Sequence, residues 1–346
     1  MKLLFLGGTG NLSTACARLC HERGREVSVL TRGRAAIPPE FQAIVADRKD
    51  PAAMRAALAG KSFDSVLNFI GFDLADVQSD YELLHGRTQQ YIFISSATVY
   101  EKPPRVLPIR EDAPLGNAWW EYARKKIACE EWLMARCRED GFPVTIIRPS
   151  HTYSRQWIPN LVSSAGYNLA ARLERGQPVF VADRGENPWT LTHADDFAIG
   201  VAGLAGRREA IGEAFHITSD EALPWKTIYR QIARAVGAGE PQIVEIPIEI
   251  ICAVAPDLVG TLKGDKIHPA VFDNSKLKRF VPEFQAKKTF AAGIQESVDW
   301  MRGHPERQNL NTRLDAINEA VIAAWKQAGC PTPDSAGATS AGRSAT

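Results

Sequence analysis

The sequence has no apolar run of the roughly 18 residues that a membrane-spanning helix needs. Its best candidate, 246–259, is interrupted by Glu249, Asp257 and two prolines. Residues 3–6 are apolar but run straight into Gly7 and Gly8, too short a stretch for a secretory leader. Neither sign of charge is in excess, with 41 Lys and Arg against 40 Asp and Glu. Without a broad positive field to gather polyanions, neither nucleic acid nor membrane is expected as a partner. The six cysteines form no C-x-x-C pair, and the seven histidines are dispersed. No metal site is therefore expected, and the scatter reads as reduced thiols in a cytoplasmic protein. Cys16 and Cys20, four apart, suit one packed side of a helix. What the chain does hold is 45% apolar and 23% charged residues over 346 positions. That is enough for a large core without staples, and the length suggests two domains.

Over the first 150 residues short strand-like runs alternate with helical patterns, the signature of a parallel sheet with crossover helices. Strands are expected at 2–6, 27–30, 43–45, 65–70, 91–95 and 144–147. Helices are expected from Leu12 to a stop at Gly24, over 51–58, near 77–85 and over 119–137. Beyond residue 150 the pattern loosens. Helices are expected at 161–175 and 224–236, strands at 179–181, 214–217 and 243–246, and one amphipathic helix within 299–329. The expected class is α/β: a Rossmann-type, doubly wound parallel sheet with a smaller C-terminal substrate lobe. The boundaries read as 1–150 for the sheet domain, with returning segments near 190–220, and 151–305 mainly for the lobe. A C-terminal helix falls in 306–330, and 331–346 is a low-complexity tail expected to be disordered.

Gly7-Gly8-Thr9-Gly10-Asn11-Leu12-Ser13 lies between the first strand and first helix. Glycine there permits a tight turn and lets a pyrophosphate approach the helix N-terminus. Gly7, Thr9, Gly10, Asn11 and Leu12 are thus candidate cofactor contacts; Ser13 stands where a third glycine is expected. The second strand ends in Leu30-Thr31-Arg32-Gly33-Arg34, not in the acid that usually accepts the adenosine ribose of NAD. Guanidinium groups would attract a ribose phosphate, which favours NADP over NAD as cofactor; the alternative makes Arg32 and Arg34 solvated surface charges. Asp47, after the third strand, is placed to accept the adenine amino group, and Arg48 beside it joins the cofactor candidates.

Ser96 follows the fifth strand at the carboxyl end, where open parallel sheets bind ligands. Tyr122 and Lys126 stand four apart on a predicted helix and share a face. A free phenol, with a pKa near 10, is a poor base at neutral pH, and a neighbouring ammonium favours its phenolate. The Ser96 hydroxyl can hold the same substrate oxygen as charge develops. Alone the Tyr-x-x-x-Lys spacing is weak; after a phosphate loop and a strand-ending serine it is not.

On these residues the chain resembles the extended short-chain dehydrogenase/reductases, in the NAD-dependent epimerase/dehydratase group. The resemblance covers about residues 1–300, through GGTGNLS, ISSATVY, YARKK, IIRPSHTY, LTHADDFA, AFHIT and DNSKLKRF. It implies that Ser96, Tyr122 and Lys126 are the catalytic set, with Lys126 also on the nicotinamide ribose. It also implies pyrophosphate on the glycine loop, Pro149 and Ser150 near the nicotinamide, and substrate contacts from the C-terminal lobe. Where members dimerise, the resemblance implies a helix bundle that would include 119–137, so a homodimer is one expected arrangement.

Departures narrow the chemistry. Dehydratases of the group carry Asp-Glu after the catalytic Ser/Thr; here Ala97 and Thr98 stand there, which disfavours dehydration. Ser-Ala-Thr-Val-Tyr resembles the 4-epimerase stretch. His151 replaces a usual Asn, and Ser154-Arg155 replaces Gly-Pro. Thr98, His151, Arg155 and Trp157 are candidate substrate contacts, each with a plain packing or surface alternative. Trp119, Trp120, Trp157 and Trp189 could stack on a ring, although at least two should be packing residues. His193, Asp195 and Asp196 match a segment that caps a helix returning to the sheet, with Asp196 structural. The first reading is an epimerase-type enzyme acting on a sugar or nucleotide sugar. The second is a reductase or dehydrogenase of a secondary-metabolite carbonyl. The third, an RNA-associated relative such as the chloroplast stem-loop-binding proteins, is opposed by the neutral charge and the intact Tyr122/Lys126 pair.

Overall fold

A computed structural model describes residues 1–34, 36–162 and 166–329; the 331–346 tail of the sequence reading lies outside them. The described residues divide into two units: 1–152 with 190–221 and 270–288, and 153–189 with 222–269 and the residues from 289 on.

The first unit is built on a seven-stranded parallel sheet. Its strands in chain order are β1 (Lys2–Leu6), β2 (Glu26–Thr31), β3 (Gln42–Val45), β4 (Ser65–Asn68), β5 (Tyr91–Ile94), β6 (Val144–Pro149) and a seventh, Ala214–Ile217. Their spatial order is seventh–β6–β5–β4–β1–β2–β3, so the winding reverses between β1 and β4, where doubly wound sheets bind ligands. Strands with helices on both faces must be apolar on both, and β1 shows it. Leu3 and Phe5 pack with Cys16, Cys20, Phe197 and Val201 of α1 (Asn11–Glu22) and the helix Ala194–Leu204. Leu4 and Leu6 point the other way, into a cluster with α2 (Pro51–Leu58), α3 (Leu74–Leu84) and α4 (Glu121–Asp140). The α/β Rossmann-type class is as expected. Burial lifts both thiols of the Cys16/Cys20 pair above their ordinary pKa, which marks them as packing groups. The segment 270–288, assigned by sequence to the lobe, belongs to this unit. Its Val281 packs where a Cβ on Gly203 would come to 2.2 Å. That contact is long-range and leaves no periodic trace.

In the second unit the strands Val179–Ala182 and Ile243–Ile246 pair in parallel, with the helices Trp225–Ala235, Phe290–Gly303 and Thr312–Gln327 among its elements. The helix expected over 161–175 is present as Asn168–Glu174, and residues 163–165 lie outside the described set. The amphipathic helix expected within 299–329 is present as Thr312–Gln327; the turn at Pro305–Arg307 separates it from Phe290–Gly303, a helix the sequence pattern did not reveal. Among the described residues no helix is long and apolar enough to cross a membrane.

The second unit also buries a lysine. Lys266 Nζ donates to the main-chain oxygens of Asn160 (3.0 Å) and Leu161 (2.9 Å), and burial lowers its pKa from 10.5 to about 8. Unfolded chain keeps that proton up to 10.5 and folded chain only to about 8, so between these values folding releases it and stability rises with pH. Relative to Lys266→Met, the native chain should therefore gain about 2 kcal/mol of stability on going from pH ~7 to ~10. Paired urea titrations read this difference directly, and a pH-independent difference would refute it.

Candidate active site

The glycine loop joins β1 to α1. Gly7 adopts φ +83°, and a Cβ there would lie 2.3 Å from Ile70 Cγ2, so both conformation and packing demand glycine. Ser13, in place of the third glycine, is buried, and its Oγ accepts the Gly10 amide at 2.9 Å. The first turn of α1 has no acidic residue, and its Gly10 N-cap has no side chain to close the end. The first amides of a helix lack intrahelical acceptors and sit at the positive end of its dipole. A Cβ on Gly10 would meet nothing nearer than Ser13 Oγ at 3.3 Å. A positive end with no acidic side chain in its first turn and open space beside Gly10 fits a pyrophosphate. Thr9, Asn11 and Leu12 share this loop and turn.

Around the expected adenosine end, Arg32 and Arg34 are exposed, and so is Asp47, whose Oδ1 accepts the Lys49 amide at 3.0 Å. Arg48 is placed differently from expectation. Its guanidinium turns inward to Asp76, Asp80 and Asn68, because two buried carboxylates need a cation more than an outer ligand does.

The expected catalytic residues lie beyond β5 and on α4. Ser95 N still bonds Ile147 O of β6 at 2.7 Å; Ser96 then caps a single 3₁₀ turn, Ala97–Val99. Ser96 Oγ accepts from Thr98 N at 3.2 Å and from Thr98 Oγ1 at 3.0 Å. Thr98, a substrate candidate, thus first serves as a donor to Ser96. Lys126 is 2% exposed, and its Nζ donates to Gly71 O and Ile94 O, both at 2.7 Å, at the carboxyl ends of β4 and β5. It lies 4.6 Å from the Phe93 ring centre, 5.4 Å from Phe72 and 5.8 Å from Tyr122. Burial lowers its pKa to about 8, while the carbonyls and ring faces favour the charge. Tyr122 is half-buried, with Trp120 5.0 Å away between ring centres.

Two features that hold this pair escaped the sequence reading. Asn117 accepts the Trp119 and Trp120 amides ahead of α4 and donates Nδ2 to Thr98 O at 2.9 Å, joining the helix start to the Ser96 turn. An Asn just before a helix was the available signal. Arg148 on β6 forms a bidentate pair with Glu130 of α4, its Nη2 2.6 Å from Oε2, and its Nη1 donates to Tyr100 Oη at 2.8 Å. Tyr100 Oη in turn meets His216 Nε2 at 2.6 Å; burial drops the His216 pKa to about 3, so the ring is neutral. An arginine inside the apolar strand Ile146-Ile147-Arg148 was the clue, since a buried charge needs a partner.

Pro149 closes β6, and Ser150 Oγ lies 2.7 Å from Thr192 Oγ1. His193 Nδ1 accepts the Asp195 amide at the start of the helix Ala194–Leu204. Asp196 Oδ2 accepts the Lys288 amide at 2.9 Å, an anchoring contact. His151, in the first unit, is partly buried. Arg155 and Trp157 belong to the second unit, where the Arg155 guanidinium lies 5.8 Å from the Trp300 ring centre. Trp189 is 2% exposed beside Trp225, 5.6 Å between ring centres, and is a packing residue.

A family model for the NAD dependent epimerase/dehydratase family matches residues 3–217. Over 335 residues the chain is 27% identical to 2'-dehydrokanamycin reductase of Streptomyces kanamyceticus, with 92% of each protein covered. It is 26% identical over 258 residues to the chloroplast stem-loop binding protein of 41 kDa b of Arabidopsis thaliana, covering 70% of this chain and 65% of that one. The solved structure of UDP-glucose 4-epimerase from Bifidobacterium longum, in complex with NAD+ and UDP, superposes with a TM-score of 0.71. That match has 19% identity and covers 89% of this chain and all (100%) of the other. The chain belongs to the NAD dependent epimerase/dehydratase family and is an oxidoreductase of that type.

Proposed function

We propose that this chain transfers hydride between a nicotinamide cofactor and a secondary alcohol or its ketone on a sugar-like small molecule, with Tyr122 exchanging the hydroxyl proton. The observation that carries this is the buried Lys126 ammonium, held by the Gly71 and Ile94 carbonyls one helical turn from Tyr122. Its charge favours the phenolate, so the phenol takes or returns a proton near neutral pH. Ser96 Oγ, oriented by its contacts with Thr98, donates to the same substrate oxygen. A bound nicotinamide supplies or accepts the hydride. The glycine loop would hold its pyrophosphate, Asp47 its adenine, Pro149 and Ser150 its nicotinamide end, and Arg32 a 2′-phosphate, which favours NADP.

The likeness spanning 92% of both chains is to a reductase, which supports net reduction of a ketone ahead of epimerisation. The Ser96–Tyr100 stretch keeps epimerisation as the second reading. Denaturing the purified protein and identifying released nucleotide, then following the reduced-nicotinamide band against keto sugars and nucleotide sugars, tests both. Steady NADPH consumption is expected. A changed sugar without net consumption would make the chain an epimerase. A protein that neither binds a nicotinamide dinucleotide nor turns over any of the panel, but binds RNA in a salt-dependent way, would overturn the proposal.

A further inference from the structure

Arg48 stands beside Asp47, yet its side chain is 9% exposed and works inward. Nη2 donates to Asp80 Oδ1 and to the Asp76 main-chain oxygen, both at 2.9 Å, and Nη1 donates to Asn68 Oδ1 at 3.3 Å. Its Nε lies 3.4 Å from Asp76 Oδ1, which also receives Lys49 Nζ at 2.8 Å. One planar fork thus engages the end of β4 and two turns of α3, a geometry an ammonium cannot reproduce.

Those partners carry the restraint onward. Asn68 Oδ1 accepts the Ile70 amide at 2.9 Å, and Asp76 Oδ2 accepts the Phe72 amide at 2.9 Å. Asn68 is itself fixed, because its Nδ2 donates to Asp80 Oδ2, which also accepts the Tyr91 hydroxyl at 2.6 Å. Between the two pinned amides lies Gly71, whose carbonyl accepts Lys126 Nζ at 2.7 Å. Ile70, on the other side, is the residue that a Cβ on Gly7 would strike. Peptide groups are planar, so holding the amides at 70 and 72 leaves the Gly71 carbonyl little freedom to turn away.

The geometry points to Arg48 as a positioning residue: through Asn68 and Asp76 it orients the Gly71 carbonyl that receives the Lys126 ammonium. The segment carrying Asp47 and the ammonium beside Tyr122 are then parts of one hydrogen-bonded unit. The functional meaning rests on the proposed role of Lys126; the positioning itself does not.

The test uses the full-length protein and its Arg48→Met, Asp76→Ala and Asp76→Asn variants. Acetylation of Lys126 by acetic anhydride is followed by mass spectrometry with Lys266 as internal reference, beside amide hydrogen exchange over 69–73. In Arg48→Met and Asp76→Ala, Lys126 should react about tenfold faster and the 69–73 amides exchange faster, with Lys266 unchanged. Asp76→Asn, which keeps an oxygen for the Phe72 amide, should return toward native behaviour. Native reactivity and exchange in a folded Arg48→Met or Asp76→Ala protein would overturn the inference. If neither folds, a further variant, Arg48→Lys, decides, since an ammonium keeps the charge but cannot make the fork to Asn68, Asp76 and Asp80: some rise in Lys126 reactivity is expected, and none would count against the inference. Turnover surviving in Tyr122→Phe would reject the catalytic reading and leave these outcomes untouched, so the two failures are separable.

Discussion

Tyr122→Phe is expected to lower turnover about 10³-fold while leaving the unfolding midpoint nearly unchanged. The substitution removes one hydroxyl and keeps the ring that lies 5.0 Å from Trp120 and 5.8 Å from the Lys126 ammonium. Packing on a half-buried helix face is preserved, so the stability cost should stay within about 0.5 kcal/mol. What is lost is the proposed proton carrier, worth roughly 10² to 10⁴ in rate for a positioned acid–base group. Nucleotide affinity should be close to native, because the glycine loop and Asp47, the contacts proposed for the nucleotide, are untouched. Steady-state rates with the substrate found by the panel, beside calorimetric melting and nucleotide titration, give all three quantities. A variant that retains turnover rules out the phenol as the proton-exchanging group, however well Lys126 is placed.

Glu130→Ala should produce the largest loss of stability, about 3–5 kcal/mol, by leaving Arg148 as an uncompensated buried charge. Both side chains are almost wholly enclosed, at 7% and 3% exposure, and the guanidinium makes three contacts to the carboxylate. The remaining partners of Arg148, Tyr100 Oη and Glu111 O, are neutral and cannot balance it. Replacing both members, as Glu130→Leu with Arg148→Met, should restore much of the loss, because two apolar groups need no partner. Urea unfolding of the two single variants and the double closes the cycle. A Glu130→Ala loss below about 1 kcal/mol would mean that water reaches the guanidinium and that the pair is not a buried one.

The strands of the first unit were legible because burial on both faces writes an unbroken apolar run. Lys2–Leu6 and Ala214–Ile217 match the expected bounds in full. The place of the glycine loop between strand and helix and the Tyr122/Lys126 spacing on one helix were legible because each is local, within a few residues. The restraints on them were not, since each joins residues far apart in the chain: Lys126 to Gly71, Glu130 to Arg148, Arg48 to Asp80. Arg48 shows the cost of reading one neighbourhood. Beside Asp47 an arginine looks like an outward ligand; only Asp76 and Asp80, more than a turn of sheet and helix away, turn it inward. Ser13 is the converse, a departure whose hydroxyl explains itself once Gly10 is seen bonding to it.

That serine bears on how tightly the loop would grip the dinucleotide proposed for it. A glycine at its place would leave the strand-to-helix bend loose until a dinucleotide arrived to stiffen it. With a hydroxyl already tying the bend shut, little conformational freedom remains to be surrendered on association. The enzyme should accordingly meet its coenzyme with a receptor set in advance.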